Sequence, residues 1–440
     1  MQQQFETLAD YVTSKAQGDE VILLSFAGEE SDFVRFNHAK VRQSGSVLQS
    51  TLTLRLIVNQ TQSLLQIPVT GVRDVDAQSC NQGLSLLREQ CQSLETDPYI
   101  AFNETVSSSN ADHCTQLPNG EDLAGVICEH ADGHDFVGFA ASGDVFSGFA
   151  NSLGQRNWFS RSSFSIDWSL YHSADKAVKS AYAGFEWDEA AFEKQLSSST
   201  QQLEIIKRPS KTLNPGLYDV YLAPRALDDI VSLLSWGGFG LRAHRTDATP
   251  LINLINGEAT LSHQLSMTEN VADGASPNFN ALGYVRPKRV PLIEAGAYAQ
   301  TLNSPRSAKE FDEQPNGANE GETPTSVDVA AGDLPQDRVL EQLGTGLYIN
   351  NLWYLNYSDR NTCRMTGMTR FATLWVEDGV PIAPVNVMRF DETVYRMLGT
   401  NLEALTQERE FILAADTYES RSTSSKRLPG ALVRDFALTL

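Results

Sequence analysis

Apolar side chains in the first 17 residues fall at Phe5, Leu8, Tyr11 and Val12, the three-to-four spacing of one helix face. The period then shortens. In "EVILLSFAGEE" and "DFVRFNHAKVRQSGSVLQSTLTLRLIV" the pattern alternates, with Leu52, Leu54 and Leu56 on one side as in a half-buried strand. Residues 75–96 return to helical spacing. From about residue 122 short apolar runs are split by Asp-Gly and Gly-Asp pairs, which predicts strands at Ala124–Cys128 and Asp135–Ala141 joined by a hairpin at "HADGH". "SSFSIDWSLYHS" continues the sheet, residues 186–207 read as a helix, and "RPSKTLNPG" reads as a linker.

The pattern predicts an N-terminal α/β domain over residues 1–207, with a mixed or antiparallel sheet. A mainly β domain, barrel- or sandwich-like, is expected over 208–440, so the fold class is α+β. The second domain opens with "LYDVYLAPRALDDIVSLLSW", a strand and then a helix begun by Pro224, a residue suited to a first turn. "EQLGTGLYINNLWYLNYS", "TRFATLWVEDGVPIAPV" and "RLPGALVRDFALTL" read as strands. Residues 311–336, acidic and rich in Gly and Pro, offer few large apolar groups to offset ordering entropy. They are expected to form a long loop, mobile in part.

Charge and cysteine usage narrow the setting. The 34 Lys and Arg against 55 Asp and Glu give a formal charge of −21, which argues against nucleic acid as a partner. Cys80, Cys91, Cys114, Cys128 and Cys363 are odd in number and include no CxxC pair, unlike a secreted disulfide framework. The first residues lack a basic stretch followed by an apolar core, and no apolar run reaches the length of a membrane span. The expectation is a cytoplasmic chain with no membrane partner.

"CEHADGHDF" puts Cys128, His130 and His134 close together, with Asp132 and Asp135 beside them. A metallopeptidase HExxH needs a helix and a glutamate general base, yet Ala131 takes the glutamate's place and Asp132-Gly133 disfavours helix. A solvated turn is the better reading of this stretch. "SLLSWGGFG" lacks the lysine of a phosphate loop and reads as a turn after a helix. Arg242, His244 and Arg245 read as a polar edge. Arg360 and Arg364 flank Cys363 and are of the kind that lowers a thiol pKa, although a lone cysteine between strands is usually inert.

The ordered series "VRFNHAKVRQSG", "GFANSLGQRNWF", "YDVYLAPRALDDIVSLL", "GLYINNLW", "LWVEDGVPIAPV" and "LPGALVRDFALTL" resembles the TldD/TldE family, which includes PmbA, the "modulator of DNA gyrase". That family comprises zinc-dependent peptidases and inactive relatives. Its TldD type carries HExxxH on the helix after the "LAP" strand, where the glutamate activates a zinc-bound water. The corresponding stretch here is "ALDDIVSLLSWGGFG", with Ser232, Leu233 and Ser235 in that neighbourhood, and "RNTCRMTG" around Cys363 departs from the family's glycine-rich cysteine context.

The resemblance is therefore to the TldE/PmbA type. It implies no catalytic, cofactor-binding or metal-binding residue in this chain, with zinc expected in a TldD-like partner. It also implies a TldD-like subunit or a second copy as partner, and unfolded peptide as substrate. A strand over Gly346–Trp353 is the expected peptide contact, through Gly346, Tyr348, Asn350 and Trp353. Two alternatives stay open: an irregular zinc site from His244, His263 and Cys363, and a homodimeric peptide-binding module without protease activity.

Overall fold

The computed structural model describes residues 1–173 and 175–440. Helix α1 (Gln2–Thr13) buries Phe5, Leu8, Ala9 and Val12, the stripe its spacing dictates. β1 (Val21–Asn37) and β2 (Lys40–Val58) form one long hairpin, reversed at His38 and Ala39, both with positive φ. There follow β3 (Thr61–Pro68), α2 (Arg73–Cys91), β4 (Ser109–His113), α3 (Gly120–His130), β5 (Asp135–Asn151), β6 (Arg156–Ser173), β7 (Lys176–Gly184) and α4 (Glu189–Ile206). The strands make one sheet in the order β3-β2-β1-β5-β6. At its end β6 pairs β7 antiparallel along one part and β4 parallel along another.

The expected strand at Ala124–Cys128 lies within helix α3. Leu123, Ile127 and Ala131 recur every four residues and are buried, and Asn119 caps the helix by accepting the amides of Glu121 and Asp122. A five-residue apolar run fits either element, and here the cap upstream decides it. The helix ends at the Asp-Gly pair, with Gly133 at φ +80. His130 then sits 3.1 Å from Glu189 on α4 and edge-on to Phe192.

The C-terminal part runs β8 (Gly216–Leu222), α5 (Pro224–Ser235), α6 (Leu241–Arg245), α7 (Ile252–Ile255), β9 (Met267–Asn270), β10 (Arg289–Glu294), β11 (Ala297–Tyr298), α8 (Pro305–Glu310) and β12 (Ser326–Val329). It continues through α9 (Val339–Leu343), β13 (Gly346–Asp359), β14 (Arg364–Glu377), β15 (Val380–Pro384), β16 (Arg389–Thr393), β17 (Leu402–Leu413) and β18 (Ser425–Leu438). Its main path is β11-β10-β9-β12-β18-β16-β14-β13-β8. Because β8 also pairs β18, the strands β8, β13, β14, β16 and β18 close into a barrel-like ring. Helix α5 sets Ala226, Leu227, Ile230, Val231 and Leu234 into the core with Val220, Ile349 and Val433. Among the described residues no helix is long and apolar enough to cross a membrane.

Residues 311–336 are not a free loop. β12 pairs β9 on one side and β18 on the other, and Ala318, Glu322, Ser326, Val327 and Val329 are buried. Polar bonds replace the missing apolar anchors. Glu269 accepts the amides of Thr325 and Ser326 and the Thr325 hydroxyl, and Glu322 accepts the amides of Ser304 and Arg242. Such charge-assisted bonds offset ordering entropy much as apolar burial does. Counting apolar residues could not reveal them.

The two sheets meet along a broad seam. Ala372 and Leu374 of β14 join the core that α3 and α4 form on the N-terminal sheet. Elsewhere Phe279 and Leu282 pack with Leu23, Phe149 and Phe159.

Candidate functional site

β8 delivers the chain into α5 at the seam. Since the helix buries residues 226, 227, 230, 231 and 234, its 3.6-residue period leaves Arg225, Asp228, Asp229 and Ser232 on the opposite, polar face. That face meets Asp167 of β6, Lys179 and Ser180 of β7, and Asn351, Leu352, Trp353 and Phe371 of β13 and β14. With Arg225, Asp228 and Asp229 they line a cavity of about 110 Å³.

Most charges around the cavity are matched. Arg225 Nε lies 2.6 Å from Glu410 Oε1, and Lys179 Nζ lies 3.4 Å from Asp167 Oδ2. The Lys426 ammonium, from β18, donates to both the Asp228 carboxylate and the Ser232 hydroxyl. Among the described residues Asp229 makes no salt bridge and accepts one bond, from the Leu352 amide at 3.2 Å. Burial first, and then the neighbouring Asp228 charge, push its carboxyl up to about 7, against the Leu352 amide, Lys426 and Lys179.

This sets a stability prediction. Because the folded pKa lies above the unfolded value, the fold keeps a proton that the unfolded chain releases between them. The contribution is intact below the unfolded pKa and is lost as pH rises through about 7. Asp229→Asn should therefore be nearly neutral near pH ~3, below the unfolded pKa, and stabilising at pH 8, by roughly 2–4 kcal/mol. Urea unfolding at the two pH values measures this. A variant equally affected at both would contradict the assignment.

The four residues expected to touch peptide play unequal parts. Leu347–Ile349 pairs with β8 on one side and Gly346–Ile349 with β14 on the other, so the backbone offers no open edge there. At Gly346 a Cβ would come within 2.3 Å of the Asp219 carbonyl, so the glycine permits close strand packing. Tyr348 packs on Tyr221 with centroids 5.3 Å apart, and burial pushes its phenol up to about 12. Asn350 donates to the Lys179 carbonyl at 2.6 Å and so ties β13 to the N-terminal sheet. Trp353 alone lines the cavity. It is 43% exposed and packs edge-on to Tyr354, which is 75% exposed and held at φ +54. Strand addition at Gly346–Ile349 is thus excluded, and Trp353 and Tyr354 remain as surface aromatics.

The metal alternatives fare as follows. Cys363 is buried, and burial pushes its thiol up to about 12, outweighing the opposite pull of Arg360. His263 is exposed, while His244 packs against Tyr298. Among the described residues no three His, Cys, Asp or Glu side chains are grouped as metal ligands, whether around these residues or around Cys128, His130 and His134. On α5 the residues do not fit zinc either. Asp228 and Ser232 are hard oxygen donors without imidazole or thiolate, and they already hold an ammonium. Asp228 and Asp229 were readable from the helix pattern. Lys426, Asp167 and Lys179 come from distant strands with no local signal. A second, larger cleft of about 980 Å³ runs along the seam, lined by Arg55, Tyr99, Arg242, Arg306 and Glu322 among others.

A barrel-like sheet joined to an antiparallel α/β sheet across such a seam is the architecture of several solved proteins. The fold is similar to that of TldE from Thermococcus kodakarensis (TM-score 0.78, 12% identity, covering 99% of this chain and 100% of that one). It is also similar to a protein described as a modulator of a DNA gyrase from Thermotoga maritima (TM-score 0.77, 13% identity, 99% and 100%). A protein of like description from Bacteroides thetaiotaomicron gives a TM-score of 0.72 at 14% identity, over 99% and 98%. No curated protein matches the chain. The profile of the PmbA/TldA metallopeptidase C-terminal domain matches residues 215–439, just over half of the sequence, and the chain belongs to that family.

Proposed function

We propose that this chain is the TldE/PmbA-like, non-catalytic subunit of a cytoplasmic metallopeptidase assembly that acts on unfolded peptides. Its role is to shape the cavity in which a zinc-bearing, TldD-like partner cleaves. The observation that carries this reading is Lys426. Its ammonium sits on Asp228 and Ser232 of α5, the helix that holds HExxxH in the TldD type, so a fixed protein cation occupies the polar face where catalysis would need an open metal site. The surface aromatics Trp353 and Tyr354 supply sequence-tolerant grip on an extended chain. Mixing the pure chain with a HExxxH-bearing homologue should give a complex of equal subunit numbers, seen by light scattering after size exclusion. That complex should cleave an unfolded peptide at least ten-fold faster than the homologue alone. A stable homodimer that ignores the homologue would favour the peptide-binding module without protease activity.

A further inference from the structure

Arg161 of β6 lies at the seam between the sheets. It is 9% exposed, and its guanidinium carbon stands 4.3 Å from the ring centre of Phe185 and 5.7 Å from that of Phe159. Among the described residues no side chain or carbonyl accepts a hydrogen bond from it. Its Nε is buried without a partner, while its Nη groups keep contact with solvent. Asp273 is the carboxylate whose charge it feels, but Asp273 is held by Arg289 and Asn270, each at 2.8 Å. His113 pairs with Arg161 in the β4–β6 ladder and meets Phe159 edge-on. Burial, and then Arg161 itself, push the His113 pKa below the ordinary imidazole value. Beyond Phe185 lies Phe411, at 4.9 Å between centroids, with Arg427 over its ring.

A guanidinium partly withdrawn from water, its Nε without an acceptor, costs free energy, and ring contacts return only part of it. In a chain of net charge −21, carboxylates are plentiful, yet among the described residues none forms a salt bridge with this group. Local disagreement of this kind is expected at functional or strained positions. The planar fork of donors matches a carboxylate, which it binds through two parallel bonds. We propose that Arg161, walled by Phe159 and Phe185 and flanked by His113, is an anion subsite that takes a carboxylate of the bound peptide, either its C-terminus or an acidic side chain. The peptide itself comes from the function proposed above.

The test uses the 440-residue chain and three labelled unstructured decapeptides followed by fluorescence anisotropy. One has a free C-terminus, one a C-terminal amide, and one an amide with a single internal glutamate. A carboxylate peptide should bind at least ten-fold tighter than the plain amide, and which of the two gains assigns the source. Arg161→Met should erase that gain, leave the amide peptide's affinity unchanged and raise the thermal midpoint, because an uncompensated charge has gone. Arg161→Gln gives the same reading if the methionine variant fails to fold. Equal affinity for all three peptides overturns the subsite and leaves peptide binding standing. If no peptide binds, inorganic phosphate decides. A phosphate-dependent rise in the thermal midpoint of the wild type, absent in Arg161→Met, keeps the subsite and sinks the peptide reading. No such difference overturns both.

Discussion

Arg421→Ala should cost the fold about 3–5 kcal/mol, because it leaves several buried acceptors without a donor at about 1–3 kcal/mol each. Arg421 sits between β17 and β18 and reaches across the seam into the N-terminal sheet, where it is 6% exposed. One Nη donates to the Ser31 hydroxyl and the Gly143 carbonyl, each at 3.2 Å, and the other to the Ser163 carbonyl and hydroxyl, each at 2.8 Å. Its own amide donates to Glu29 at 3.1 Å. Burial pushes the guanidinium down to about 10, opposed by the charges of Glu29 and Asp144. Alanine keeps the amide bond to Glu29 but leaves the Gly143 and Ser163 carbonyls and the Ser31 and Ser163 hydroxyls without their buried donor. Gly143 allows the approach of β5 to β1, for a Cβ there would meet the Glu30 carbonyl at 2.2 Å. Arg421→Lys should recover only part of the loss, because an ammonium lacks the two-sided fork. Urea unfolding measures both variants, and a cost under about 1 kcal/mol for alanine would show that the two sheets do not depend on this contact.

A comparable loss, again about 3–5 kcal/mol, is expected for Glu269→Ala. Glu269 is buried to 1% exposure and is paired with Arg286, which itself is nearly covered. It also receives the Thr325 and Ser326 amides. The substitution strands the Arg286 charge and unpins the start of β12, so the effect should be local as well as global. Amide exchange at Val327–Val329 should rise toward that of an open loop, and proteases that spare the wild-type segment 311–336 should cut the variant there first. A variant that loses stability but keeps those amides protected would place the damage elsewhere.

Glu269 also marks where reading the sequence stops. Elements with a repeating pattern were readable: α1 from Phe5, Leu8 and Val12, β2 from Leu52, Leu54 and Leu56, and α5 from its apolar stripe behind Pro224. Such patterns are local, and burial of one face suffices to fix them. The 124–128 strand was misread because its apolar run is too short to show a period, and the decisive residue, Asn119, lies outside it. The 311–336 segment is irregular outside β12, as expected, but its anchoring was not legible, because it comes from two buried acids, one of them 42 or more residues upstream in sequence. The candidate site divides the same way. Asp228, Asp229 and Trp353 were on view in their own elements. Lys426, Lys179, Asp167 and Arg161 acquire meaning only from which strands the closed sheet and the seam bring together.

The central claim, that this chain is a partner subunit and not itself a peptidase, is tested most directly by metal analysis of the pure chain alongside a peptide-cleavage assay with and without chelator. The account predicts well under a tenth of an equivalent of zinc and no chelator-sensitive cleavage by the chain alone. About one equivalent of zinc, with cleavage that the chelator abolishes, would contradict it.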